Sequence, residues 1–250
     1  MRFIILVFTL ALVCQHINAQ GTEQNPQTAA MPKGSYKFKP NFVPNDTLYM
    51  RMYKNGIKYG DYNLAISAMQ TLYALHPDSI KYLDSSCIMY SETQQYAQCI
   101  LTGNKVLQSR PDDISIIEAV ALSNQHVGRY PEALGLFQIE YEKNSSLYAC
   151  YQIAVLQFSL QKPGEAQATL DRLIADKRSL TDKIGFSTNS NTTQQVFYKA
   201  AAENLMGVIY QNLKDNAKAK ANFQAALIIQ PDFVLAQNNL EALEKKNEGK

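Results

Sequence analysis

The stretch Met206–Asp232, MGVIYQNLKDNAKAKANFQAALIIQPD, decides the fold. Met206-Gly207 and Tyr210 fall on one helical run, Ala219, Phe223 and Ala226 on a second, and Pro231-Asp232 closes the unit. Upstream, the Ala219 position recurs as Ala166, Ala133, Cys99 and Ala65, at intervals of 53, 33, 34 and 34 residues. A large apolar residue follows four positions later at Met69, Phe137, Leu170 and Phe223, while the second unit carries Gly103. Pro-Asp closures recur at Pro77-Asp78 and Pro111-Asp112. Proline cannot continue the helix before it, and the acid or the next polar residue can cap the helix that follows. Self-similarity at this period means a stacked repeat array, in which each unit buries its apolar face against its neighbours.

Outward from that unit, helix pairs are expected near 46–79, 80–113, 114–146, 147–180 and 200–233. A further helix over 234–246 turns Leu235, Ala236, Leu240 and Leu243 inward and Glu241, Glu244, Lys245 and Lys246 outward. It caps the exposed end of the stack, as repeat arrays require. The spacing of Gly207, Tyr210, Ala219, Phe223, Ala226 and Pro231 resembles the tetratricopeptide repeat family, across residues 46–246. Gly128-x-Tyr130-x-Glu132-Ala133 and Gly60-x-Tyr62 carry the same resemblance in the third and first units. It implies an all-α, right-handed α-solenoid of five helix pairs plus a C-terminal capping helix. Three features depart from the pattern: the chain has no Trp, Gly103 stands where a bulky residue is expected, and Pro163 lies near a turn.

Two segments fall outside the repeats. Arg2, the apolar run Phe3–Val13 and the small residue Ala19 read as a secretory signal peptide over 1–19. Cys14 does not make it a lipoprotein signal, because Leu12-Val13 precede it where a small residue is needed. Residues 20–45, with Pro26, Pro32, Pro40 and Pro44, show no helical period and read as a flexible linker. An exported protein, periplasmic or associated with the outer envelope, is expected. The second segment, 181–199, is the excess within the long interval. It reads as a polar loop around Ser187–Thr193, after which Val196, Phe197, Ala200 and Ala201 extend the next helix backwards.

The formal net charge is +2, of which the leader carries Arg2, and this near-neutral balance argues against a nucleic-acid partner. A local basic bias (Lys33, Lys37, Lys39, Arg51, Lys54, Lys58 against Asp46) reads first as a solvated face, with contact to an anionic surface as the sharper alternative.

No nucleophile elbow, zinc-protease motif, phosphate-cradling glycine loop or Cys-x-x-Cys is present, so catalysis, a cofactor or a bound metal is not expected. His76 and His126 are isolated; His126 beside Glu118 in a cleft would favour an enzyme. Cys87 and Cys99 fall in facing small-residue columns of one helix pair and form a candidate disulfide, weighed against two small buried hydrophobes. Cys150 has no evident partner.

Arrays of the resembled family hold peptides or partner helices on a concave face lined by their first helices, which implies a protein–protein scaffold or assembly adaptor. In register, the candidate groove residues are Met50, Lys54, Lys81, Asp84, Glu118, Gln125, Tyr148, Tyr151, Asn204 and Gln211. Tyr148 and Tyr151 are the expected anchors, since their hydroxyls want water or a partner. A small ligand or glycan held by the Tyr-rich groove is the rival reading, ranked second because such ligands prefer closed pockets. Asn45-Asp-Thr, Asn144-Ser-Ser and Asn191-Thr-Thr match the glycosylation triplet, a pattern common by chance.

Overall fold

The computed structural model describes residues 45–187 and 192–248. The leader and all but the last residue of the linker lie outside that range. Among the described residues the chain is a run of antiparallel helix pairs: α1 (Asp46–Tyr59) with α2 (Tyr62–Leu75), α3 (Lys81–Glu92) with α4 (Tyr96–Ser109), α5 (Ile114–His126) with α6 (Tyr130–Asn144), and α7 (Leu147–Ser159) with α8 (Pro163–Ala175). A short 3-10 turn (Lys177–Leu180) leads into β1 (Lys183–Ser187) and β2 (Thr193–Phe197). The fifth pair, α9 (Tyr198–Asn212) with α10 (Asn216–Ile229), and the final α11 (Val234–Glu248) complete an α-solenoid of helix pairs.

The repeat is written in the turns as well as in the core. Within each pair one residue adopts the left-handed conformation: Gly60 (φ 71°), Gln94 (61°), Gly128 (81°), Gln161 (61°) and Lys214 (65°). The sharp reversal between two helices demands it, and glycine supplies it without the steric cost that Gln94, Gln161 and Lys214 bear. Asp61 and Asp215 then cap the second helices by accepting from the Leu64 and Lys218 amides at 3.0 and 3.1 Å. Pro163, a departure from the family pattern, belongs to the first turn of α8, where its missing N–H is no loss. Asp113 caps α5 through the Ile116 amide at 3.3 Å. Asp78-Ser79 do not cap α3 in this way, because its N-cap residue is Ile80, which makes no side-chain cap.

The core follows one rule of complementary size. Ala121 and Phe137, Ala154 and Leu170, and Gly207 and Phe223 are all buried, each a small residue of a first helix sixteen before a large residue of the second. Phe223 lies so close to Gly207 that a Cβ there would meet its ring at 2.5 Å. The second pair reverses the sizes. Cys87 takes the small position, and a Cβ on Gly103 would meet its sulfur at 2.8 Å and the Val120 methyl at 2.2 Å. Gly103 is thus the compensation for Cys87 and Val120 rather than a weak point in the repeat.

The segment before α9 is not a loop running into a longer helix. Val196 and Phe197 belong to β2, and α9 starts at Tyr198. The strands pair antiparallel with Lys183 opposite Phe197, Ile184 opposite Val196, Gly185 opposite Gln195, Phe186 opposite Gln194 and Ser187 opposite Thr193. Period-two alternation explains the choice: Ile184 and Val196 are buried in the same cluster as Leu147, Tyr151, Tyr198 and Phe233. Much of the Ser187–Thr193 run read as a polar loop lies outside the described residues.

Candidate partner-binding face

Along the first helices the candidate groove residues differ in what they are free to do. Lys54 and Lys81 are exposed, and Met50, Glu118 and Gln125 are half-buried. The Lys81 ammonium lies 5.0 Å from the centre of the Tyr82 ring, a cation–π contact that leaves the charge in water. Asp84 is tied to Arg110, which also reaches Asp113 at 3.3 Å. That bridge fixes the α4–α5 turn to α3 and takes up the Asp84 charge. Gln125 donates to Gln152 of α7 at 3.4 Å, so the faces of α5 and α7 are contiguous.

The next two helices are different. Tyr151 is 8 % exposed and the Phe186 ring of β1 meets it edge-on at 6.0 Å. Phe186 in turn packs on Phe233 at 5.5 Å. The expected anchor is therefore covered by the chain's own ribbon, and this corrects its reading as an available groove residue. Asn204 is corrected in the same way: it is buried and its side-chain oxygen accepts from Asn239 of α11 at 2.9 Å. Gln211 is half-buried near the far end of α9.

Tyr148 sits between the two regimes. It is half-buried, with Phe137 edge-on at 6.1 Å, and burial with the charge of Glu118 pushes its phenol up to about 12. Tyr198 is likewise pushed up to about 12, by burial and then by Asp182, Glu118 and Glu140. Burial raises the carboxyl of Glu118, and burial with the Glu118 charge raises that of Glu140. Glu140 is 2 % exposed, and its Oε2 has no hydrogen-bond partner. Among the described residues no cation lies at ion-pair distance from Glu118, Glu140 or Asp182. The face thus runs from free lysines on α1 and α3 to unneutralised acid beside α7 and the base of the ribbon. Periodicity could list these residues, but it could not show that their charges segregate.

His126 is exposed and stacks on Tyr96 of α4 at 4.4 Å with the rings nearly parallel, 4° apart. It lies eight residues from Glu118 on one helix, about 12 Å along the axis, so the two do not form a catalytic pair. Among the described residues no group of three or more His, Cys, Asp or Glu is arranged to hold a metal. The sulfurs of Cys87 and Cys99 are 3.4 Å apart and unbonded, both fully buried. Its hydrogen bond to Cys99, with burial adding, raises the Cys87 thiol far above its ordinary range. Cys150 is a buried free thiol facing the Thr169 carbonyl at 3.7 Å. Asn45 and Asn144 serve locally, accepting from the Thr47 and Ser146 amides at 2.9 Å each.

The ribbon is stitched to the last turn by two glutamines. Gln230 accepts from the Phe197 amide and donates to the Gln195 carbonyl, both at 3.1 Å. Gln194 donates to the Asp232 carbonyl at 2.5 Å and accepts from the Val234 amide at 3.2 Å. The N-terminus of α11 is therefore capped by a side chain from the insertion.

The tetratricopeptide repeat profile matches residues 204–233, the unit from which the sequence reading began. The fold is an α-solenoid of helix pairs similar to that of tetratricopeptide-repeat proteins. Among solved structures it is similar to a MamA protein (16 % identity, TM-score 0.61), over 74 % of this chain and 92 % of that one. YrrB, described as a TPR protein with an unusual peptide-binding site, is similar at 15 % identity and TM-score 0.61, over 78 % of this chain and 91 % of that one. MamA from Desulfovibrio magneticus RS-1, residues 41 to the end, gives 11 % identity and TM-score 0.62, over 77 % and 98 %. No curated protein sequence matches the chain. Identities this low carry the solenoid fold and no more. Among the described residues no helix is long and apolar enough to cross a membrane.

Proposed function

We propose that this α-solenoid is a protein-binding scaffold or adaptor whose accessible face lies on α1, α3 and α5 and ends at Tyr148. The observation that carries this reading is the contrast along one face. Among the described residues, Lys54, Lys81, Glu118 and Gln125 are accessible and their charged members lack ion-pair partners, whereas Tyr151 and Asn204, in the register of Glu118, are closed by Phe186 and Asn239. A face with basic and acidic ends selects a partner of opposite polarity and register, through charge more than through a closed pocket. The peptide-binding site named for YrrB, on the same fold, agrees with this class of function. The leader read in residues 1–19 supports a location in the cell envelope.

A photo-crosslinking residue at Gln125 in the native cell tests it, with the exposed Lys218 on α10 as control. A discrete protein adduct at Gln125 and none at Lys218 supports the scaffold. Equal labelling at both sites, or none, contradicts it. Fractionating the same cells tests the envelope assignment: a chain that keeps residues 1–19 and stays with cytosolic markers contradicts export.

A further inference from the structure

The ribbon has two edges, and only one is used. The Phe197 amide and Gln195 carbonyl point to Gln230, away from β1. In an antiparallel pair the N–H and C=O of such a residue point outward together, and so do those of the residue opposite. The Tyr198 amide, one position on, instead bonds inward to the Asp182 carbonyl at 3.1 Å, which fixes the same parity independently. Lys183, Gly185 and Ser187, opposite Phe197, Gln195 and Thr193, therefore turn their backbone groups away from β2. All three are exposed, and no hydrogen bond from elsewhere in the described chain reaches these groups. An unpaired strand edge is a template for another strand unless it is blocked by charge, proline or a covering element. β1 contains no proline, and its Lys183 ammonium is drawn over the Phe197 ring at 4.5 Å.

The surroundings say what would pair there. β1 is the strand whose Phe186 reaches Tyr151 of α7, so its open edge borders the end of the accessible face. Asp182 immediately precedes it, and Glu118 and Glu140 act with Asp182 on the Tyr198 ring next to its base. The nearby Arg178 is taken by Asp176 at 2.7 Å. Resting on the scaffold reading above, we propose that the free edge of β1 is a strand-addition site: an extended, basic segment of a partner protein pairs with Lys183, Gly185 and Ser187 as a third strand. Main-chain bonds give such a complex its affinity, and alternate side chains give it specificity. The uncompensated acids supply that specificity here.

Hydrogen exchange measured by NMR on the full chain, with the probe peptide acetyl-Lys-Val-Lys-Val-Lys-Val-amide, tests the proposal. The amides of Lys183, Gly185 and Ser187 are expected to slow about tenfold or more at saturation, as new main-chain bonds would require. Gly185→Pro removes one outward N–H without touching the ladder and should weaken binding by about tenfold. Gly185→Ala adds the same Cβ, which in either variant displaces only the Thr193 methyl now 2.9 Å away, but keeps the N–H and should bind as wild type. A peptide of Glu and Val in the same alternation should bind at least about tenfold more weakly. Shifts at Gln125 and Gln152 with no protection at Gly185 would overturn strand addition and leave the scaffold reading standing. No binding anywhere would count against both. Equal binding of the acidic peptide overturns the charge preference, and protection that grows with protein concentration alone overturns the partner in favour of a second copy of this chain.

Discussion

The first three helix pairs and the last two solve the same packing problem with different consequences for the face formed by the first helices. In α1, α3 and α5 the first helices leave Lys54, Lys81 and Gln125 accessible. In α7 and α9 two residues in the register of Asp84 and Glu118 are roofed, Tyr151 by the ribbon and Asn204 by α11. The repeat sets where a side chain points, but an insertion or a terminal helix decides whether anything can reach it. An aromatic residue at a groove position is therefore not by itself a binding anchor.

That difference can be broken at the ribbon. Phe186→Ala removes the ring shared by Tyr151 and Phe233 and should cost about 3 kcal/mol in urea unfolding. It should also bring Tyr151 to solvent while leaving Tyr73 and Tyr90, in the first two pairs, unchanged. A loss below about 0.5 kcal/mol, within the range of ordinary surface substitutions, would mean the ribbon is not a structural roof. Gln230→Ala cuts both bonds to β2 and should cost about 2 kcal/mol, with faster amide exchange across Ile184 and Val196 as the local sign.

Glu140→Gln sharpens the comparison from the middle of the array. Glu140 carries a buried unpartnered oxygen, and replacing its charge should stabilise the fold by about 1 kcal/mol at neutral pH. Its carboxyl titrates above the ordinary range in the folded protein, so the native state takes up its proton before the unfolded state does as pH falls. The wild type therefore gains stability on acidification through that folded value, and the advantage of the variant shrinks in step. A variant with no gain at neutral pH, or one whose gain grows on acidification, contradicts this. Gly substitutions at the left-handed positions Gln94, Gln161 and Lys214 have the smallest expected effect. Each should stabilise by about 0.5 kcal/mol, the relief of left-handed strain less the added entropy of the unfolded chain. Ala at Gly60 or Gly128 should move the opposite way.

The legible part of the molecule was the part that repeats. The Ala65–Ala219 register, the Pro-Asp closures and the inward leucines of the last helix each restate one constraint, so a weak unit such as the second could be read from its neighbours. Gly103 looked like a defect only because its meaning depends on Cys87 and Val120, which meet it in space. The ribbon had no second instance to confirm it. Its strands are five residues each, too short for alternation to stand out from a polar stretch, and the glutamine bonds that hold it join residues more than thirty positions apart. Tyr151 was misplaced for the same reason, since its covering residue belongs to that strand.

The most direct test of an open first half and a roofed second half is tyrosine modification of the native protein, resolved peptide by peptide by mass spectrometry. Tyr59 is 72 % exposed and Tyr151 8 %. The account predicts rapid modification of Tyr59 and protection of Tyr151 until Phe186 is removed. Modification of Tyr151 in the wild type as fast as Tyr59 would contradict it.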